Sequence, residues 1–200
     1  MTEALVALSI FTGIGAVRDV LPLNYPVDIF LAWFAEVAGI LAMCGLCIHV
    51  ALAWARSLVL MRTVAGFIAI AGGVLIGMSI AVYLGLNSSS DYMSPRSFTH
   101  GELFTTLYCA LIASVILITG LTTLVTAAVT YARAGAQQLP IAVFGVAGLL
   151  TTVLGAMGYA LLEIGYPTSD PLAWLIASAA ATLYGLAQFT NQCVKVGHKA

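Results

Sequence analysis

The sequence predicts an all-α bundle of membrane-spanning helices, and three observations carry that prediction. Hydrophobic residues make up 62% of the 200 positions and charged ones 8%, with a mean hydropathy of +1.06, more apolar than any water-soluble core requires. Apolar runs of about twenty residues, the length that crosses hydrocarbon, recur along nearly the whole chain. The runs are continuous and do not alternate, which selects helices over barrel strands. No break in composition divides the chain, so residues 1–200 read as a single membrane domain with short loops.

Taken in order, the apolar segments fall near residues 4–17, 28–55, 64–86, 103–131, 140–162 and 172–193, giving five or six spans. The first is short for a vertical helix, and Arg18-Asp19 follows it at once, so it either spans with its ends drawn inward or lies along the interface. Its opening "MTEALVALSIF" carries Glu3 where a cleaved leader would place Lys or Arg, so the segment is expected to be retained. The remaining segments are each bounded by charges, Pro or Gly. Trp33, Trp54, Trp174, Tyr25 and Tyr166 fall near their ends, where amphipathic rings prefer the membrane interface.

Basic residues orient the spans. Arg56 and Arg62 share one loop, Arg133 lies in the next loop but one, and Lys195 and Lys199 close the chain, all on one side. Arg18, Arg96 and most acids (Asp19, Asp28, Asp91, Glu102, Glu163 and Asp170) fall on the other. The basic side is expected to be cytoplasmic, carboxyl terminus included. A formal net charge of −1 with no basic run offers nothing to nucleic acid.

Several features are expected to serve packing. Gly73 with Gly77, Gly145 with Gly148, Gly155 with Gly158, and Ala181 with Gly185 provide small surfaces for close helix approach. The hydroxyls of "TGLTTLVTAAVT" can bond to their own backbone or to a neighbouring helix. Cys44 and Cys47 form a C-x-x-C pair within an apolar helix, where small buried side chains are a better reading than a redox centre. Cys109 and Cys193 add no metal-ligand spacing. Of the three histidines, His198 is in the tail, and His49 lies about 30 Å along its helix from Asp28, while His100 is on the outer face. One haem cannot bridge His49 and His100. A b-type haem on His49 with another axial ligand is a minor alternative, set against a His49 that bonds a neighbouring helix or reaches the interface.

Two features invite a functional reading. Glu36, inside "AWFAEVAG", sits about two turns below Asp28, within the membrane. An acid there is either a functional group or a protonated side chain bonded between helices. The loop "NSSSDYMSPRSFTHGELF" gathers Asp91, Arg96, His100 and Glu102, with Tyr83, Tyr92 and Phe98 close by. Aromatic and apolar surface with a donor and a proton acceptor at the water boundary suits a quinone. A solvated loop whose charges end two helices is the plainer alternative.

The stretch "AVYLGLNSSSDYMSPRSFTHGELFTTLY" resembles the span, loop and span of membrane-anchor subunits of the dimethyl sulfoxide reductase family and the related polysulfide-reductase type, with a weaker echo in "GLLTTVLGAMGYALLEIGY". The resemblance covers roughly residues 70–130 of a chain shorter than those anchors. It implies an inner-membrane anchor that holds an iron–sulfur subunit and a molybdopterin catalytic subunit and exchanges electrons with menaquinone or another quinone, itself binding no metal or haem. On that reading Tyr83, Tyr92, Arg96, His100 and Glu102 form the quinone site, Glu36 belongs to the proton route, and loops 18–28, 87–102 and 163–171 dock the partners. A small transporter or channel built around Glu36 is the alternative from another class.

Overall fold

The computed structural model describes residues 25–54, 57–86, 103–133, 135–164 and 171–197. These form five helices: α1 (Tyr25–Trp54), α2 (Leu58–Leu86), α3 (Leu103–Tyr131), α4 (Gln138–Ile164) and α5 (Pro171–Gly197), with a 3-10 turn (Gly135–Gln137) leading into α4. They correspond to five of the six predicted segments, and residues 4–17 lie outside the described ones. Among the described residues, segments of four helices are long and apolar enough to cross a membrane: Trp33–Leu52, Leu58–Ala81, Thr106–Tyr131 and Gln138–Ala160. The chain is a multi-pass helical membrane bundle. Helix α5 stands apart because Thr182, Gln188, Thr190, Asn191 and Gln192 dilute its apolar run. Large apolar side chains such as Phe30, Val59, Phe67, Leu139 and Phe189 are exposed on the outside, a surface suited to hydrocarbon and not to water.

Helix α2 begins at Leu58, earlier than the apolar run predicts, and a serine explains it. The Ser57 hydroxyl accepts the Leu60 amide at 3.2 Å, and its carbonyl accepts the Met61 amide at 3.1 Å, capping the first turn. Arg62 is therefore inside the helix, exposed, where a long side chain can reach the interface.

The most extensive pairing joins α3 to α4, followed by α4 with α5 and α1 with α2. Glycine makes the first one close. A Cβ on Gly155 would lie 2.6 Å from the Leu117 Cα, one on Gly148 would lie 2.9 Å from the Leu124 amide, and one on Gly120 would lie 2.6 Å from the Thr152 hydroxyl. Gly145 and Gly158 meet Ala127 and Ala113 of α3 in the same way, at 3.1 and 3.0 Å. The expected packing role of the α4 glycines is met. That of Gly73 and Gly77 is not: both face open space, and it is Gly72 that receives Cys44 of α1, 2.7 Å from where its Cβ would be. The face of α2 turned to α1 is one residue away from the one the paired glycines mark. Gly185 likewise has no close neighbour, while Ala181 packs on the core.

Two clusters form the interior. Ala42 and Leu46 of α1 meet Ala147 of α4 and Ala180 and Tyr184 of α5. Ile40 of α1 meets Leu75 of α2 and Tyr108 of α3, with Ile112 and Val115 packed alongside.

Candidate functional site

The predicted intramembrane acid proves to be held between helices. Glu36 projects from α1 toward α3, where the Tyr108 hydroxyl donates to its Oε1. Tyr108 is 3% exposed, whereas Glu36 is half-buried, so the phenol is locked in the core and the carboxyl group is not sealed. One turn before Glu36 on α1, the Trp33 indole donates to the Ser79 hydroxyl of α2 at 3.3 Å, and Ser79 itself donates to the Ile76 carbonyl at 2.8 Å. Three helices thus converge at one level around a single acid, with Ile40 and Leu75 as its apolar surround.

Glu36–Tyr108 is one of three rungs joining α1 to α3. Cys47 Sγ lies 3.0 Å from the Thr119 hydroxyl, and the Trp54 indole donates to the Thr126 hydroxyl at 2.7 Å. All three pairs share a sequence offset of 72. The two helices therefore run parallel in constant register, with rungs eleven and then seven residues apart, both near a whole number of turns. Beyond them, Tyr184 of α5, fully buried, meets the Thr151 hydroxyl of α4 at 3.1 Å.

Most threonines of these helices donate to the carbonyl four residues back, as expected for hydroxyls in an apolar setting: Thr119 to Val115, Thr126 to Thr122 and Thr151 to Ala147, at 2.6, 2.6 and 2.9 Å. Thr123 departs from this. It is fully buried, its Oγ1 makes no such bond, and its methyl packs against Gly148.

Of the other predicted site residues, Tyr92, Arg96, His100 and Glu102 lie outside the described residues. Tyr83 falls within α2, four residues beyond Ser79, but its side chain is outside the described ones. Helices α2 and α3 end and begin, at Leu86 and Leu103, on the Glu36 side of the bundle, so the 87–102 segment connects there.

The cysteine pair is divided between two neighbours: Cys44 points at the Ile68 carbonyl of α2, 3.9 Å away, and Cys47 at Thr119 of α3. Both are free thiols, packed as small side chains. His49 is exposed, its ring edge-on to Phe144 at 6.1 Å. Among the described residues no group of three or more His, Cys, Asp or Glu side chains could hold a metal.

Tyr108, Ser79 and the common register were not found from sequence. Depth offered a signal for the first: Glu36 is eight residues beyond Asp28 and Tyr108 six beyond Glu102, a difference of about 3 Å along two parallel helices. No protein-family model, curated protein or solved structure matches the chain.

Proposed function

We propose that the chain is the quinone-binding membrane-anchor subunit of an electron-transfer complex in the cytoplasmic (inner) membrane, with Glu36 accepting a proton from quinol. The observation that carries the reading is the Glu36–Tyr108 pair: an acid placed inside a membrane span and aimed by a buried phenol, on the side of the bundle to which segment 87–102 connects. Ionisable groups are costly at that depth and are retained where protons or charges move. A quinol gives up two protons and two electrons, and a carboxylate within hydrogen-bond reach of its hydroxyl can take one of the protons. Tyr108 fixes the carboxyl orientation, while Glu36 is only half-buried, which leaves its carboxyl group accessible to a substituted ring. Tyr83, Tyr92, Arg96, His100 and Glu102 complete the site in this reading. The electrons pass to an iron–sulfur subunit that, with a molybdopterin catalytic subunit, docks on the outer loops, leaving the carboxyl terminus in the cytoplasm. The resemblance of residues 70–130 to such anchors and the bias of Lys and Arg support these assignments.

A small transporter or channel is the second reading, favoured by the stacked polar rungs between α1 and α3. It ranks behind the first because Ile112 and Val115, together with Ile40 and Leu75, place an apolar layer between Glu36–Tyr108 and Cys47–Thr119, which interrupts a continuous polar path.

Glu36→Gln is the direct test. In native membranes the variant should lower quinol oxidation about a hundredfold, the scale of a lost general base, while iron–sulfur and molybdenum-containing partners still co-purify. Unchanged turnover would remove Glu36 from the site. Isolation of wild type in mild detergent as a homo-oligomer without redox partners would favour transport.

A further inference from the structure

Two apolar grooves run beside the second half of α3. The smaller is lined by Trp54 of α1 with Leu121, Thr122 and Val125. The larger, about 270 Å³, lies between α3 and α4, and its lining includes Leu124, Ala127, Ala128, Tyr131, Gly145 and Leu149. Its floor is small: Gly145 meets Ala127 there, and Ala128 lies beside them, while larger side chains such as Leu124 and Leu149 wall an open groove on the outer surface.

The lining of the larger groove is hydrocarbon apart from Tyr131, which is 45% exposed at the end of α3. Just beyond it the chain turns toward α4, and that turn carries Arg133, also exposed. Arg62 and Arg133 are the cations whose side chains are described, and both stand at this end. The Trp54–Thr126 rung sets the end of α1, and hence the start of α2, level with the last turns of α3. Glu36 is far away, since Tyr108 and Tyr131 are separated by about 34 Å of helix.

We infer that the α3–α4 groove binds an anionic phospholipid, one acyl chain lying along Ala127, Ala128, Gly145 and Leu149 and the phosphate meeting Arg133, with the Tyr131 ring at the headgroup level. Charge complementarity selects this occupant. The lining takes a hydrocarbon chain, and a cation at its mouth favours a chain that carries an anion over one whose head is neutral or zwitterionic. A quinone has no charge to place there, so the inference stands independently of the proposed redox role.

The test uses the full chain in mild detergent, with retained lipid counted by native mass spectrometry. Phosphatidylglycerol and phosphatidylcholine with identical acyl chains are the probes. Wild type should retain phosphatidylglycerol about fivefold better, the effect of one basic side chain near an anionic lipid. Arg133→Gln, an exposed change in a turn, should abolish the preference and leave phosphatidylcholine retention unaltered, while Arg62→Gln should keep the preference. Ala128→Phe, which fills the groove, should lower retention of both lipids. Equal retention of the two by wild type, a preference that survives Arg133→Gln, or its loss in Arg62→Gln as well would overturn the assignment.

Discussion

Helix α3 is held on two sides by different means. Against α4 the contact is backbone on backbone: Gly120, Gly148 and Gly155 bring main chains so close that a single added carbon would collide. Against α1 the contact is made by side-chain tips, three hydrogen-bonded pairs at one offset with apolar residues between them. Lipid tails are as apolar as leucine, so neither contact gains from expelling water. The first gains from dispersion across a large area of close packing, the second from polar groups that would otherwise face hydrocarbon. A glycine seam leaves no room for a reacting group. A seam of side chains does, and this is where the acid sits.

The two seams should respond differently to substitution, and the glycine seam should respond most. Gly155→Leu places Cβ 2.6 Å from the Leu117 Cα, a backbone atom that cannot swing aside, so the helices must separate along their length. A cost of about 3 kcal/mol is expected, the upper range for overpacking, measured by reversible unfolding of purified protein in mixed micelles of increasing sodium dodecyl sulfate. Stability near that of wild type would mean that this glycine does not set the α3–α4 distance.

The polar seam should give a smaller effect concentrated at one rung. Tyr108→Phe removes the donor to Glu36 without changing the shape of the ring, so the carboxyl group in the membrane loses this hydrogen bond. A loss of about 2 kcal/mol is expected, against about 0.6 for an average hydrogen bond between membrane helices. Pairing it with Glu36→Gln sharpens the comparison. If the tyrosine serves only the acid, the double variant should cost little more than Glu36→Gln alone, and full additivity would show that the two side chains are energetically separate.

The bundle was legible from sequence because membrane spans announce themselves through length and continuity, which need no knowledge of neighbours. The α4 glycines were legible for a related reason: Gly145, Gly148, Gly155 and Gly158 recur at three- and seven-residue steps and keep one face of a helix small. Which face meets which neighbour is another matter. Helix rotation depends on what the partner presents, and a difference of one residue on α2 exchanged Gly73 for Gly72. Glu36 stood out because an acid in hydrocarbon is costly wherever it points. Tyr108, an ordinary residue in an apolar run, acquires meaning only when α1 and α3 are known to lie parallel with an offset of 72. Ser57 was missed because one cap hydroxyl, and not the apolar pattern, decided where α2 begins.

The smallest expected effect concerns the glycines that join neither seam. Gly73 and Gly77 lie in the middle of α2 with nothing within 4 Å of an added Cβ, and α2 is the least buried of the four described helices long and apolar enough to cross a membrane. Glycine inside a helix is a local weakness, because the unfolded chain has more freedom to lose, and alanine relieves it wherever there is space. Gly73→Ala and Gly77→Ala should therefore each raise stability by about 0.5 kcal/mol in the same unfolding assay. The sign carries the information, since the same change at Gly155 or Gly148 meets backbone and must destabilise. A loss of stability at Gly73, accompanied by a shift to a smaller particle in light scattering, would mean that in the membrane this face is covered by another helix and that α2 has a seam of its own.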